Sequence, residues 1–172
     1  MDDTQLLDTI LISTYAKADV LKRLRIVREY LEQRFFTPGG KKDLLGFLSD
    51  QNIPADEQAV ITGWGDEFFK SFTKENAYDS LERMMNRVKD LPSVNMYVPV
   101  DLDSGQTVKI GLWVRANVDK KALVEFHVDS SAFGGCAFAW NGAYYDYTLT
   151  HYMHKKTDAI RKVLDGYATN KT

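Results

Sequence analysis

Residues 137–146 read AFAWNGAYYD, two four-residue runs separated by Asn141-Gly142. Both turn residues tolerate the positive φ that a type I′ turn needs at its two central positions, and the twist of that turn matches the twist of paired strands. The stretch therefore predicts a β-hairpin whose loop is too short to leave the register free. Trp140 must face Ala143, Ala139 must face Tyr144, Phe138 must face Tyr145, and Ala137 must face Asp146. Upstream, Gly134-Gly135 gives the backbone room for a sharp bend or a close approach. Downstream, Asp146 and Thr148 stand where they can cap a closing helix.

The hairpin needs a sheet to join, and the preceding residues supply one. Residues 94–100, VNMYVPV, are rich in strand formers, and Pro99 places their far end at an edge or a strand terminus. Asp103-Ser104 can start a helix in which Val108, Leu112 and Arg115 or Ala116 mark one side and Ile110 and Trp113 another. Residues 123–128 form the next strand. A closing helix over 148–167 has Leu149, Tyr152, Met153, Ile160, Val163, Leu164 and Tyr167 on its apolar side, interrupted by Lys155-Lys156-Thr157. The order strand, helix, strand, strand, strand, helix implies an open sheet with helices against it.

The first half has a different period. From residue 5 to residue 36 the apolar spacing is helical, with Leu6, Leu7, Ile10 and Leu11 as one patch and Val20, Leu24, Val27, Leu31 and Phe35 as a second stripe. Asp19 can cap a new helix after Ala18, or one helix runs through; the pattern admits both. Thr37-Pro38-Gly39-Gly40 ends it. A short helix is expected over 42–48, then one opened by Pro54 in which Ile61, Trp64, Phe68 and Phe72 share a face. Gly63 and Gly65 flank Trp64, and each costs about 1 kcal/mol in a helix interior, which points to a close approach there, by a partner helix or within the bundle. Thr73 caps a last helix with Tyr78, Leu81, Met85 and Val88 as its buried stripe. About five helices result. Pro92 marks the boundary, so the expected fold class is α+β: an N-terminal helical bundle over 1–91, followed by a small C-terminal α/β domain over 92–172 with a β-hairpin and closing helix.

The 172 residues, 44% hydrophobic, suffice for a buried core, and a net charge of -2 argues against broad nucleic-acid binding. Cys136 is the only cysteine, so no internal disulfide can form, and a small buried hydrophobe is its expected role. The start, MDDTQ, lacks the basic front of a signal peptide, and no apolar run approaches the ~20 residues that span a bilayer. Membrane association, if any, is expected only indirectly, through partners.

Residues 128–146 also carry a family likeness. Val128, Asp129, Ser131, Gly134, Gly135 and Asp146 fall in step with the C-terminal signature of the delta subunit of F-type ATP synthases, the oligomycin-sensitivity-conferring protein family. That signature runs V-D-P-S-L-I-G-G, a strand, a short turn, a second strand ending in Asp, and a closing helix. Ser130 stands where Pro is usual, Phe133 keeps an apolar position, and Tyr147 replaces the customary Gly. Tyr15-Ala16-Lys17-Ala18 resembles the family's N-terminal Y-A-K-A. The resemblance implies a six-helix N-terminal bundle and a non-catalytic peripheral-stalk subunit, without cofactor, at the cytoplasmic face of the cell membrane. Its expected partners are the alpha subunits of the catalytic head, met through Tyr15, Ala16 and Ala18, and the b subunits of the stalk. Val128, Asp129, Gly134, Gly135 and Asp146 form the motif of the stalk-binding domain.

Other chemistry finds little purchase in the sequence. His151 and His154 are three apart on a helix, but no third ligand stands at metal spacing and HExxH is absent. Asp101 and Asp103 lack the rest of a calcium loop, and Gly39-Gly40-Lys41 lacks the other residues of a phosphate loop. Trp140, Tyr144, Tyr145, Tyr147 and Tyr152 could stack on bases, yet strand alternation divides the strand rings between two faces. Asp129 and Asp146 are explained by turn making and capping. The competing readings are a free-standing two-domain peptide-binding adaptor and a small hydrolase or metal enzyme built on the two histidines.

Overall fold

A computed structural model describes residues 1–37 and 43–169. Lys42, the start of the expected third helix, and the Gly39-Gly40-Lys41 stretch lie outside them.

Asp2 starts the first helix, α1 (Asp3–Ile12), by a capping box in which its carboxylate accepts from the Thr4 and Gln5 amides while Gln5 returns a bond to the Asp2 amide. The chain does not run on as one helix. It breaks at Ser13–Ala16 and restarts as α2 (Lys17–Phe36), so the cap position is Ala16 rather than Asp19. Apolar spacing continues across the break, which is why periodicity alone did not decide between one helix and two. Next come α3 (Leu44–Asp50), α4 (Ala55–Thr62) and α5 (Asp66–Lys70). The expected continuous helix through Trp64 is cut there, because Gly65 takes φ +80°. Ile61, Trp64, Phe68 and Phe72 are nevertheless all buried.

The last helix of this half, α6 (Ala77–Asp90), starts three residues later than Thr73 implied. Thr73 and Asn76 exchange side-chain-to-backbone bonds in the turn ahead of it. Its buried face is Ala77, Ser80, Leu81, Met84 and Val88: Leu81 and Val88 are buried as expected, whereas Tyr78 is exposed and Met85 only partly buried, with Ala77 and Met84 taking their places. Asp3 ties α1 to α6 by accepting from Ser80 and from Arg83 Nε at 2.5 Å. Among the described residues, six helices, not five, precede the first strand.

β1 (Ser93–Val98) ends before Pro99, as expected. Asp103 opens α7 (Ser104–Asn117) with a second capping box. β2 (Leu123–Val128) pairs parallel to β1. β3 (Ala137–Trp140) lies antiparallel on β1's other side, and β4 (Ala143–Asp146) completes the order β2-β1-β3-β4. The hairpin has the register set by Asn141-Gly142, pair for pair, with φ +49° and +77° at the turn. One sheet face, with Val94, Met96 and Val98, packs with Val114 of α7. The α7 face also differs from expectation: Gly111 and Val114 are buried, while Val108, Leu112 and Trp113 are exposed.

The closing helix is two helices, α8 (Leu149–Lys155) and α9 (Thr157–Thr169), broken at Lys156. Thr157 Oγ1 donates back to the Met153 and His154 carbonyls, drawing the α8 end shut. Fold class is thus α+β, helices first and a four-stranded sheet after. No described helix is long and apolar enough to cross a membrane.

Candidate docking surface

The hairpin motif shapes backbone around the start of α8. Asp129 accepts from the Ser131 amide (3.0 Å) and hydroxyl (2.6 Å), fixing a short 3-10 turn at Ser130–Ala132. The Ser131 carbonyl in turn receives Thr150 Oγ1 at 2.8 Å. Gly134's carbonyl receives the Leu149 amide at 2.9 Å. Gly135 sits at φ +76°, and a Cβ there would overlap the Tyr147 carbonyl oxygen and lie 3.2 Å from the Thr148 Cα, so both conformation and space demand glycine. Asp146 accepts from the Thr148 amide (2.9 Å) and hydroxyl (2.7 Å). Those bonds hold its carboxyl below the usual aspartate range, helped by His151, whose Nδ1 is 3.6 Å away. Gly134, Gly135 and Asp146 therefore converge on the first turn of α8. Val128 ends β2 with its side chain exposed.

What this cradle presents is greasy. Leu149, Tyr152 and Met153 of α8 line an open groove of about 430 Å³ with Ala159, Ile160 and Val163 of α9, and among the described residues Lys156 is the only charged one in its wall. α8 has no buried residue. Beside Gly134, Phe133 is held at φ +53° and is 79% exposed. A bulky side chain in the left-handed region is uncommon and costs backbone energy. The side chains of Leu164 and Tyr167, expected on the same stripe, lie outside those described. Contiguous exposed apolar surface of this kind marks interaction sites.

Tyr15, Ala16 and Ala18 are placed differently. The Tyr15 carbonyl accepts from the Val124 amide at 2.9 Å, and Ala16 bridges Val124 in parallel, so this segment lies along the free edge of β2. Ala16 is buried, Tyr15 is half-buried, and Ala18 is exposed. The Arg115 guanidinium stacks 4.5 Å from the Tyr15 ring centre. It donates to the carbonyls of Leu11 (2.5 Å), Thr14 (2.7 Å) and Ala122 (3.3 Å), and burial lowers its pKa. Gly111, one turn before, lets α7 press on Tyr15 where a Cβ would overlap the ring's base. Lys17 adds an ion pair to Glu125 at 2.9 Å, which holds that carboxyl low.

From the other side Arg23 grips Glu57 through Nε and Nη2, each 2.9 Å, and donates to Thr14 Oγ1 at 2.6 Å. The bond to Arg23 depresses the Glu57 pKa, whereas burial raises that of nearby Asp19. Two arginines thus pin one four-residue loop. Sequence reading gave neither arginine this role, placed Phe133 only as an apolar position of the signature, and passed over Gly111. Gly111 alone left a trace, a residue unfavourable in a helix standing four before Arg115 on the same face.

The metal candidates do not assemble. Among the described residues no group of three or more His, Cys, Asp or Glu is placed to hold an ion. Asp103 is used as a helix cap, and half-buried Cys136 packs against the sheet-side core. The rings divide as alternation required: Phe138 stacks with Tyr145 at 4.9 Å on one face, and Tyr144 meets Tyr97 at 6.2 Å on the other. No family model matches the chain, and no curated protein matches it either.

Proposed function

We propose that this protein is a non-catalytic peripheral-stalk subunit of an F-type ATP synthase, linking the catalytic head to the b-subunit stalk so that rotor torque is coupled to ATP synthesis and proton transport. The observation that carries this reading is the Val128–Asp146 motif, whose Gly134, Gly135 and Asp146 cradle the first turn of α8, the helix that opens the exposed apolar groove. Six helices ahead of the sheet add support. In this reading 1–91 is the head-binding unit, 92–172 is the stalk-binding unit, and the complex holds both at the cytoplasmic face of the membrane.

The task is mechanical. A stator must bind two bodies at once and resist drag, which calls for helix-in-groove contacts and no reactive group. With Ala16 buried and Tyr15 engaged inside the chain, the head contact falls to exposed residues of the helical half, and Ala18 is the motif residue most open to it.

Tagged protein isolated from its native membranes should bring alpha, beta and b chains with it. Gly135→Asp should stop ATP-driven proton pumping while soluble hydrolysis by the head persists. A chain recovered without any synthase subunit would overturn the proposal in favour of a free-standing adaptor.

A further inference from the structure

We infer that the α8–α9 groove is built for an acidic amphipathic helix, selected by charge as well as by apolar fit; this rests on reading the hairpin half as the stalk-binding one. The groove is concave and walled by two helices, the shape that seats the apolar stripe of a third. Its charges are one-sided. Lys156 lines it, and by helical spacing Lys155 of α8 and Lys162 of α9 flank it, all three exposed. Asp158 and Asp165 fall on the opposite side of α9 by the same spacing. This local excess of positive charge sits on a chain whose net charge is -2. A partner with carboxylates beside its apolar stripe gains attraction at the rim, and a basic one meets repulsion.

An anionic bilayer would also attract lysines. Two features favour a helix instead. The apolar residues of α8 and α9 line one shallow concavity that continues through the break at Lys156, and neither helix carries a Trp or Phe of the kind that seats interfacial helices.

The test uses the full chain and two synthetic helical peptides with the same Leu/Ile stripe, one with Glu and one with Lys at the flanking positions, together with phosphatidylglycerol vesicles. The Glu peptide should bind at least about tenfold more tightly than the Lys peptide, and the preference should shrink as salt is raised from about 50 to about 500 mM. Lys155→Glu/Lys156→Glu/Lys162→Glu should reverse the preference, and Ile160→Glu should abolish binding of both peptides. All four positions are exposed, and circular dichroism checks that the fold persists. Equal affinity for the two peptides, or binding to vesicles and to neither peptide, overturns the inference. Co-isolation with synthase chains reads the parent proposal separately, so either can fail while the other stands.

Discussion

Gly135 and Gly142 make an internally controlled pair. Both sit at nearly the same positive φ, +76° and +77°, but a Cβ at Gly142 would meet nothing within 4 Å, whereas at Gly135 it would overlap the Tyr147 carbonyl. Alanine at either position carries the left-handed penalty of about 1–2 kcal/mol. At Gly135 the chain must also move Tyr147-Thr148 away. That loosens the bonds from the Tyr147 amide to the Cys136 carbonyl (3.0 Å) and from the Leu149 amide to the Gly134 carbonyl (2.9 Å), each worth about 0.5–1.5 kcal/mol net. Gly142→Ala should therefore cost about 1–2 kcal/mol, and Gly135→Ala about 2–5. Against a typical domain stability of about 5–15 kcal/mol the larger figure is a substantial fraction. Urea unfolding followed by far-UV circular dichroism measures both. Costs that agree within about 0.5 kcal/mol would refute the close-approach argument and leave only backbone strain.

Arg115→Ala removes the donor shared by three carbonyls and should destabilise by about 2–4 kcal/mol, with Arg115→Lys recovering only part because an ammonium cannot match the planar fork; a loss under about 0.5 kcal/mol in chemical denaturation would show that water replaces the contact fully. Glu57's pKa is lowered in the fold, so its stabilising contribution is complete above the ordinary glutamate value near 4.3 and is lost as pH falls through the folded one. Glu57→Gln should thus destabilise at neutral pH and flatten the acid limb of the stability curve, and an unchanged limb would contradict the role given to Arg23. Asp103→Ala deletes the α7 capping box and should cost about 1 kcal/mol, with Asp103→Asn losing much less. Calorimetry of the two variants separates cap from charge.

The elements legible in advance are those fixed by neighbours in sequence. Asn141-Gly142 dictates a register because a two-residue turn has few solutions, and Asp103 caps α7 through residues three apart. Elements that depend on distant partners were left open or misread. The break before α2 is held by Arg23 and Arg115, which come from different helices. The buried face of α7 centres on Gly111 because Tyr15 needs its space. On α6, Leu81 and Val88 were legible, but Ala77 and Met84 took the places expected of Tyr78 and Met85, because a helix stripe about 100° wide leaves that much freedom until its neighbours are placed. The docking groove was half legible: the apolar stripe of α8 and α9 was visible, but the bend at Lys156 that folds it into a concavity was not. The sequence marked Phe133 only as an apolar position of the signature; its strained backbone depends on the turn built by Asp129 and the glycines after it.

Because residues 15 and 16 lie along the outer strand of the sheet, cutting the chain near Pro92 would not yield two clean pieces. A fragment beginning there would carry β2 with a bare row of amides and carbonyls, a ready template for the same strand of another fragment. The tyrosine and alanine near the chain's start thus work as a selvedge, the finished border that keeps woven cloth from unravelling into its neighbour.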